Sequence, residues 1–145
     1  MALDDFNAGT SYCWYDAAYG NISDYATVTS ESFGTGKTNT ATMIEKWNNS
    51  EYGTQNDNGT YADMWGAIQE EVAEGWFVPS KEEWSAFAYN LGITSSDYVN
   101  NNCSDSCLSS SLDINGRAWL ARFDTGCMDY SHIYFDGYVR LSATF

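Results

Sequence analysis

Positive charge is the scarcest thing in this chain. Six Lys and Arg stand against twenty Asp and Glu, a net charge of −14. A surface so short of cations cannot supply the concentrated positive patch that nucleic acid or an anionic membrane requires. Long apolar runs are missing too: none approaches the roughly 18 residues that cross a bilayer, so no membrane insertion is expected. The N-terminal MALDDFNAG has neither the basic region nor the apolar region of a secretory signal. If the protein is exported, its signal or anchor is expected outside these 145 residues. Metal-binding patterns are equally thin. The one histidine, His132, has no partner at ligand spacing, and Cys13, Cys103, Cys107 and Cys127 follow no zinc arrangement. The spacing of Cys103 and Cys107 suits either a disulfide or two free thiols.

What the chain does have is aromatic rings: six Trp, eleven Tyr and seven Phe make 17% of 145 residues. That length implies one domain with a core of its own, and a core of this size does not need so many rings, so some are expected at the surface.

Gly34-Thr35-Gly36-Lys37-Thr38 has the ending of a phosphate-binding loop. The position that requires the first glycine is Glu31, however, and the preceding YATVTSESF is too polar for a buried parallel strand. The stretch reads better as a loop leading into a helix over 38–50, with Thr38 or Asn39 as N-cap, Met43, Ile44 and Trp47 on one face, and Lys37 in solvent. A second helix is expected over 61–75, carrying Met64, Trp65, Ile68 and Val72 and stopped by Gly75. A third follows the capping box Ser80/Glu83, with Trp84, Phe87 and Leu91 at helical spacing and Gly92 as its stop. Residues 121–123 and 138–145 read as strands, the latter with Val139, Leu141, Ala143 and Phe145 on a single buried face. The class is therefore α+β.

Composition changes sharply along the chain. All eight Glu, all three Lys and both Gln lie at or before Glu83, and the remainder is rich in Asn, Asp, Ser, Tyr, Cys and Gly. Such a mixture suits either a recognition surface or a loop-rich half of low charge. Catalytic constellations are hard to find. His132 with Cys127 is the one nucleophile–base pair on offer, and a lone His among tyrosines is more often a surface contact. Asn56-Asp57-Asn58-Gly59 offers oxygen ligands, but without a glutamate at the far end it is no EF-hand and reads as a turn. No cofactor is expected, with a structural calcium left open, and no enzymatic activity.

The series GTGKTNTATMIEKWN, DMWGAIQEEVAEGWFVPSKEEWSAF, SSS at 109–111, AW at 118–119 and YVRLSATF resembles the C-type-lectin-fold domains related to the formylglycine-generating enzymes. More closely, it is similar to the variable target proteins of diversity-generating retroelements from gut bacteria and their phages, over about residues 14–145. The resemblance implies a single C-type-lectin-like domain, with helices on a small antiparallel sheet amid much irregular loop. Its scaffold would span about 1–97, its variable binding region about 98–137, and a terminal strand 138–145. In that family, mutagenic reverse transcription at AAY codons yields neither Lys, Glu, Gln, Met nor Trp. The makeup of the C-terminal half fits such a filter, provided Trp119 and Met128 are fixed, as Trp84 upstream would be.

The ligand-contact positions implied by the resemblance are Asn100, Asn101, Asn102, Leu112, Asp113, Ile114, Asn115, Leu120, Asp124, Thr125, Cys127, Asp129, Tyr130, His132, Tyr134, Phe135, Asp136 and Gly137. Tyr130, Tyr134 and Phe135 would be the anchors of a non-covalent surface for a protein or glycan ligand on another cell or phage host, and the location would be a cell surface or virion, with the cytoplasm left open. Two departures stand out. Leu108 occupies a place where related domains often carry Trp, and the catalytic cysteine pair of the enzymes has no counterpart. An enzyme using Cys127 or Cys103 with a metal, and a plain structural module, are the alternatives.

Overall fold

A computed structural model of the chain describes residues 1–2, 4–15, 22, 24–52, 63–91, 106–123 and 125–144. Helical segments come first: α1 (Tyr25–Val28), α2 (Gly36–Asn48), α3 (Met64–Ala67), α4 (Gln69–Ala73) and α5 (Lys81–Leu91). They are followed by β1 (Ser106–Leu112), β2 (Ala118–Arg122) and β3 (Cys127–Ser131), an antiparallel sheet in the order β1-β2-β3. The α+β class expected from the sequence is the class observed.

α2 begins two residues earlier than expected, and the reason lies elsewhere in the chain. Glu83 in the first turn of α5 is buried, and its Oε2 accepts from the Ser80 N–H at 2.7 Å and from the Gly36 N–H at 3.1 Å. One carboxylate thus caps the N-termini of two helices, offsetting the orphan donors and the positive end of each dipole. With that external cap, α2 needs no hydroxyl of its own: Thr35 at the N-cap turns its hydroxyl back to the Ser30 and Ser32 carbonyls and caps nothing, Thr38 is exposed, and Asn39 instead bonds both backbone groups of Ser30. Gly36 is required by this closeness. A Cβ there would overlap the Glu83 carboxylate and lie 2.8 Å from the Val78 carbonyl oxygen. The anion seat that GTGKT suggests is therefore filled by the protein's own side chain, while Lys37 is exposed.

The expected second helix is interrupted. Asp63 caps α3 by accepting from Gly66 N–H at 3.1 Å, and Ile68, fully buried, leaves helical geometry before α4 resumes. The capping box forms as expected, with Glu83 N–H on Ser80 Oγ at 3.3 Å returning the bond described above.

β1 was not foreseen. Its seven residues are all buried, so it shows none of the alternation by which a half-buried strand is recognised. Ser109, Ser110 and Ser111 replace water with protein partners: Ser111 Oγ donates to the Ser30 carbonyl and accepts from Lys81 N–H, Ser110 Oγ accepts from Asn39, and the Ser109 carbonyl accepts from Trp14 Nε1. The pairing of β1 with β2 shifts register between Leu108 and Leu112, where these serines sit. Leu108 is fully buried and Trp84 Nε1 donates to its carbonyl at 3.2 Å, so packing is complete there without a tryptophan.

The segment expected as a terminal strand forms only isolated bridges, Tyr138 with Cys107 and Ser142 with Phe77. It does not bury one face alone: Val139, Arg140, Leu141 and Ser142 are all buried. A segment enclosed on every side cannot alternate, and Arg140 lies within it because Asp5 receives its guanidinium at 2.8 Å. Around these pieces the core gathers Trp14, Trp65, Met43, Met64, Ile68, Val78, Leu108 and Val139, with Trp14 and Trp65 edge to face at 5.0 Å. Among the described residues no helix is long and apolar enough to cross a membrane.

Candidate functional site

The register places the candidate contact positions at two separate ends of the sheet. Leu112 and Ser131 both oppose Ala118, so the β1–β2 turn (113–117) and the turn after β3 (132–136) share one end. The β2–β3 turn, with Thr125 and Cys127, lies at the other, about 13 Å away along β3.

At the first end the turn is built by Asp113. It is 5% exposed, and its Oδ1 accepts from the N–H groups of Asn115 and Arg117, both at 2.8 Å, while Oδ2 receives Arg117 Nε at 2.8 Å. Burial pushes its carboxyl up, but the Arg117 bonds outweigh burial and hold it below the usual carboxylate range. Gly116, at φ 72, closes this Asn-Gly turn in the left-handed region. Ile114 at the tip is 77% exposed.

Asp113 fixes Arg117, and Arg117 fixes the next residue: its Cζ lies 3.5 Å from the centre of the Tyr130 ring. Tyr130 in turn meets Trp119 edge to face at 5.5 Å. Trp119 is held from the helical half of the chain, where Lys81 Nζ sits 3.8 Å over its ring and Glu31 Oε1 accepts its Nε1–H at 2.8 Å. Glu31 Oε2 and Lys81 Nζ close the loop at 2.6 Å. Tyr130 is thus an exposed ring ordered in advance, which would lower the entropic cost of any contact made through it. Beyond it, His132 and Tyr134 stack in parallel at 5.0 Å, and Tyr134 and Phe135 are exposed.

Other positions fall differently. Leu112 and Leu120 point into the core, and Gly137 is buried against Leu108 with its N–H and carbonyl paired to Tyr12. Their side chains are not at the surface, and Asp113 serves the turn. A leucine on the inner face of a strand is indistinguishable in sequence from one on a binding face, which is why position alone misplaced them. Asn115 and Asp136 are exposed. Asp129 is half-exposed, accepts its neighbour Tyr130's N–H at 2.8 Å and lies 3.7 Å from Arg122. Asn100, Asn101, Asn102 and Asp124 lie outside the described residues, as does the Asn56–Gly59 stretch.

At the second end Cys127 is exposed, with Thr125 Oγ1 3.0 Å from its thiol. A cleft of about 280 Å³ opens beside it between α5 and the sheet, floored by Trp84, Ala121 and Phe123 and edged by Ala88, Tyr89 and Met128. Cys127 and His132 stand at opposite ends of β3, five residues and roughly 16 Å apart, so they form no nucleophile–base pair. Cys107 is buried with its thiol 4.0 Å from Asp5 Oδ1, and Cys103 lies outside the described residues. Among the described residues no group of three His, Cys, Asp or Glu is gathered to hold a metal.

Glu31, Lys81 and Arg117 were missed. Glu31 and Lys81 are fifty residues apart, and nothing local links them. Asp113 and Arg117, flanking Asn-Gly, did carry a readable signal of a turn closed by an ion pair. The chain matches no protein-family model, and comparison with curated proteins and with solved structures returns no match.

Proposed function

We propose that the chain is a ligand-binding domain of the C-type-lectin type, a variable protein of a diversity-generating retroelement, recognising its ligand non-covalently through the sheet end that carries Ile114, Tyr130, His132, Tyr134 and Phe135. One observation carries the reading. Three exposed rings, Tyr130, Tyr134 and Phe135, and the exposed Ile114 lie on turns and an edge strand of the C-terminal half, while Trp119, against which Tyr130 packs, is held by Glu31 and Lys81 from the half that holds all the Glu and Lys. A surface supported in part from outside its own segment tolerates exchange of its contact residues. The helices on a small antiparallel sheet are consistent with this. Because Leu112, Asp113, Leu120 and Gly137 are buried, the proposal rests on the exposed positions.

Sequencing the same locus from sister strains tests it. Substitutions should concentrate at 114, 115, 129, 130, 132 and 134–136 and spare Glu31, Lys81 and Trp119, with a reverse transcriptase and a template repeat nearby. Changes scattered evenly over the chain would sink the proposal.

A further inference from the structure

Resting on that reading, we infer that position 130 must carry an aromatic ring, oriented through Trp119 by Glu31 and Lys81 as positioning residues, while the other exposed positions of this end are free to change. The two rings lie between two cations. Lys81 Nζ stands 3.8 Å over Trp119, Arg117 Cζ stands 3.5 Å over Tyr130, and the rings themselves meet at 87° with 5.5 Å between centres. Each cation is held by a carboxylate of its own, Lys81 Nζ by Glu31 at 2.6 Å and Arg117 Nε by Asp113 at 2.8 Å.

Both ends of this row are anchored in backbone. Glu31 accepts the Trp119 Nε1–H, its carbonyl takes the Glu82 N–H at 3.0 Å, and the Lys81 N–H is bonded to Ser111 Oγ at 3.1 Å. Trp119 is therefore fixed against the first turn of α5 and offers Tyr130 one wall. Asp113, buried and bonded to the N–H groups of its own turn, fixes the second wall through Arg117. A ring fills the space between them. A small side chain at 130 would leave the guanidinium without its ring and uncover Trp119, losing a cation–π contact and an aromatic pair together.

The neighbouring positions are held differently. His132 and Tyr134 stack on each other and are both exposed, so they can change together, and Ile114 at 77% exposed has little packing to lose. The face thus combines one constant ring with variable surroundings. Every variant of it presents the same central contact, and discrimination between ligands is set around that contact at 114, 132, 134 and 135.

The test needs no ligand. Protons seated over a ring face resonate upfield of their ordinary positions, so side-chain NMR of the full chain reads the Arg117 contact directly. The Arg117 signals should be upfield in the native chain and in Tyr130→Phe, and should return to ordinary arginine values in Tyr130→Ser, whose Tm should fall by roughly 3–6 °C. Ile114→Ser should leave those signals in place and Tm within about 1 °C of native. Lys81→Met keeps both rings while removing the charge over Trp119 and its pair with Glu31. A partial return of the Arg117 signals in that variant marks a positioning role, since a lysine serving stability alone would lower Tm and leave them in place. Lys81→Met also carries the test if Tyr130→Ser does not fold. Ordinary Arg117 shifts in the native chain, a Tyr130→Ser Tm within about 1 °C of native, or Arg117 signals unmoved in Lys81→Met would each overturn the inference. None of these measurements bears on the pattern of substitutions among strains, so the inference and the function it deepens fail separately.

Discussion

Replacing Glu83 by alanine removes the one acceptor shared by two helix N-termini. The carboxylate is 6% exposed and takes two backbone N–H groups, Ser80 at 2.7 Å and Gly36 at 3.1 Å. A hydrogen bond to a charged group contributes about 1.5–3 kcal/mol, and a buried donor left without a partner loses that in full. Two such bonds put the loss at about 3–5 kcal/mol, or roughly 10–15 °C in Tm for a domain of this size. Glu83→Gln keeps an oxygen in place but not the charge facing two dipoles, and should lose only about 1–2 kcal/mol. Urea unfolding followed by tryptophan fluorescence and far-ultraviolet dichroism measures both. A Glu83→Ala loss under about 1 kcal/mol would refute the reasoning, because it would mean that water reaches these donors as readily as the carboxylate does.

Gly36→Ala should destabilise by about 1–3 kcal/mol through overlap with Glu83 and Val78, and should be less than additive with Glu83→Ala, which vacates part of that space. Lys37→Ala should leave stability within about 0.5 kcal/mol, and isothermal titration with ATP should be flat for it and for the native chain alike. Asp5→Ala strips the carboxylate from the buried guanidinium of Arg140 and should cost about 3–5 kcal/mol by chemical denaturation, against under about 1 kcal/mol for Glu51→Ala, whose bridge to Lys46 is at the surface. Since the folded pKa of Asp113 is depressed, its contribution is present above the ordinary carboxylate pKa of about 4 and is lost as pH falls through the folded value; Tyr130 signals in an NMR titration should shift there, before global acid unfolding. Burial, with Asp63 nearby, pushes Tyr15 up to about 12, so its contribution is full below pH ~10 and fades as pH rises toward that value, which phenolate absorbance would report.

The helices were legible because their signals are local. Ser80 and Glu83 are three residues apart, and Trp84 and Phe87 fall on the face they bury. The sheet was legible only around β2. β1 hides because SCLSSSL is enclosed on both faces, and small hydroxyls there are satisfied by Ser30, Asn39 and Lys81, none of them neighbours in sequence. The last segment misled by alternating apolar and polar residues, although burial takes Arg140 and Ser142 with the rest. For the site, residue type found the exposed Tyr130, Tyr134 and Phe135, but nothing along the chain tells Leu112 and Leu120 from surface leucines or joins Glu31 to Trp119 across 88 residues.

The enclosure of β1 also bears on the order in which the molecule can assemble. Trp14 reaches Ser109 across 95 residues, Ser30 reaches Ser111 across 81, and Asp5 reaches Arg140 across 135. Contacts of such high order make folding slow, and they postpone the sheet until nearly the whole chain has left the ribosome. Until the final residues close over the first six, β1 lacks its neighbour at Tyr138, while β3, among the described residues, is an open edge before and after. Under the proposed function, exchange of residues along β3 would be screened twice, once by the ligand and once by whether the open edge strand stays soluble.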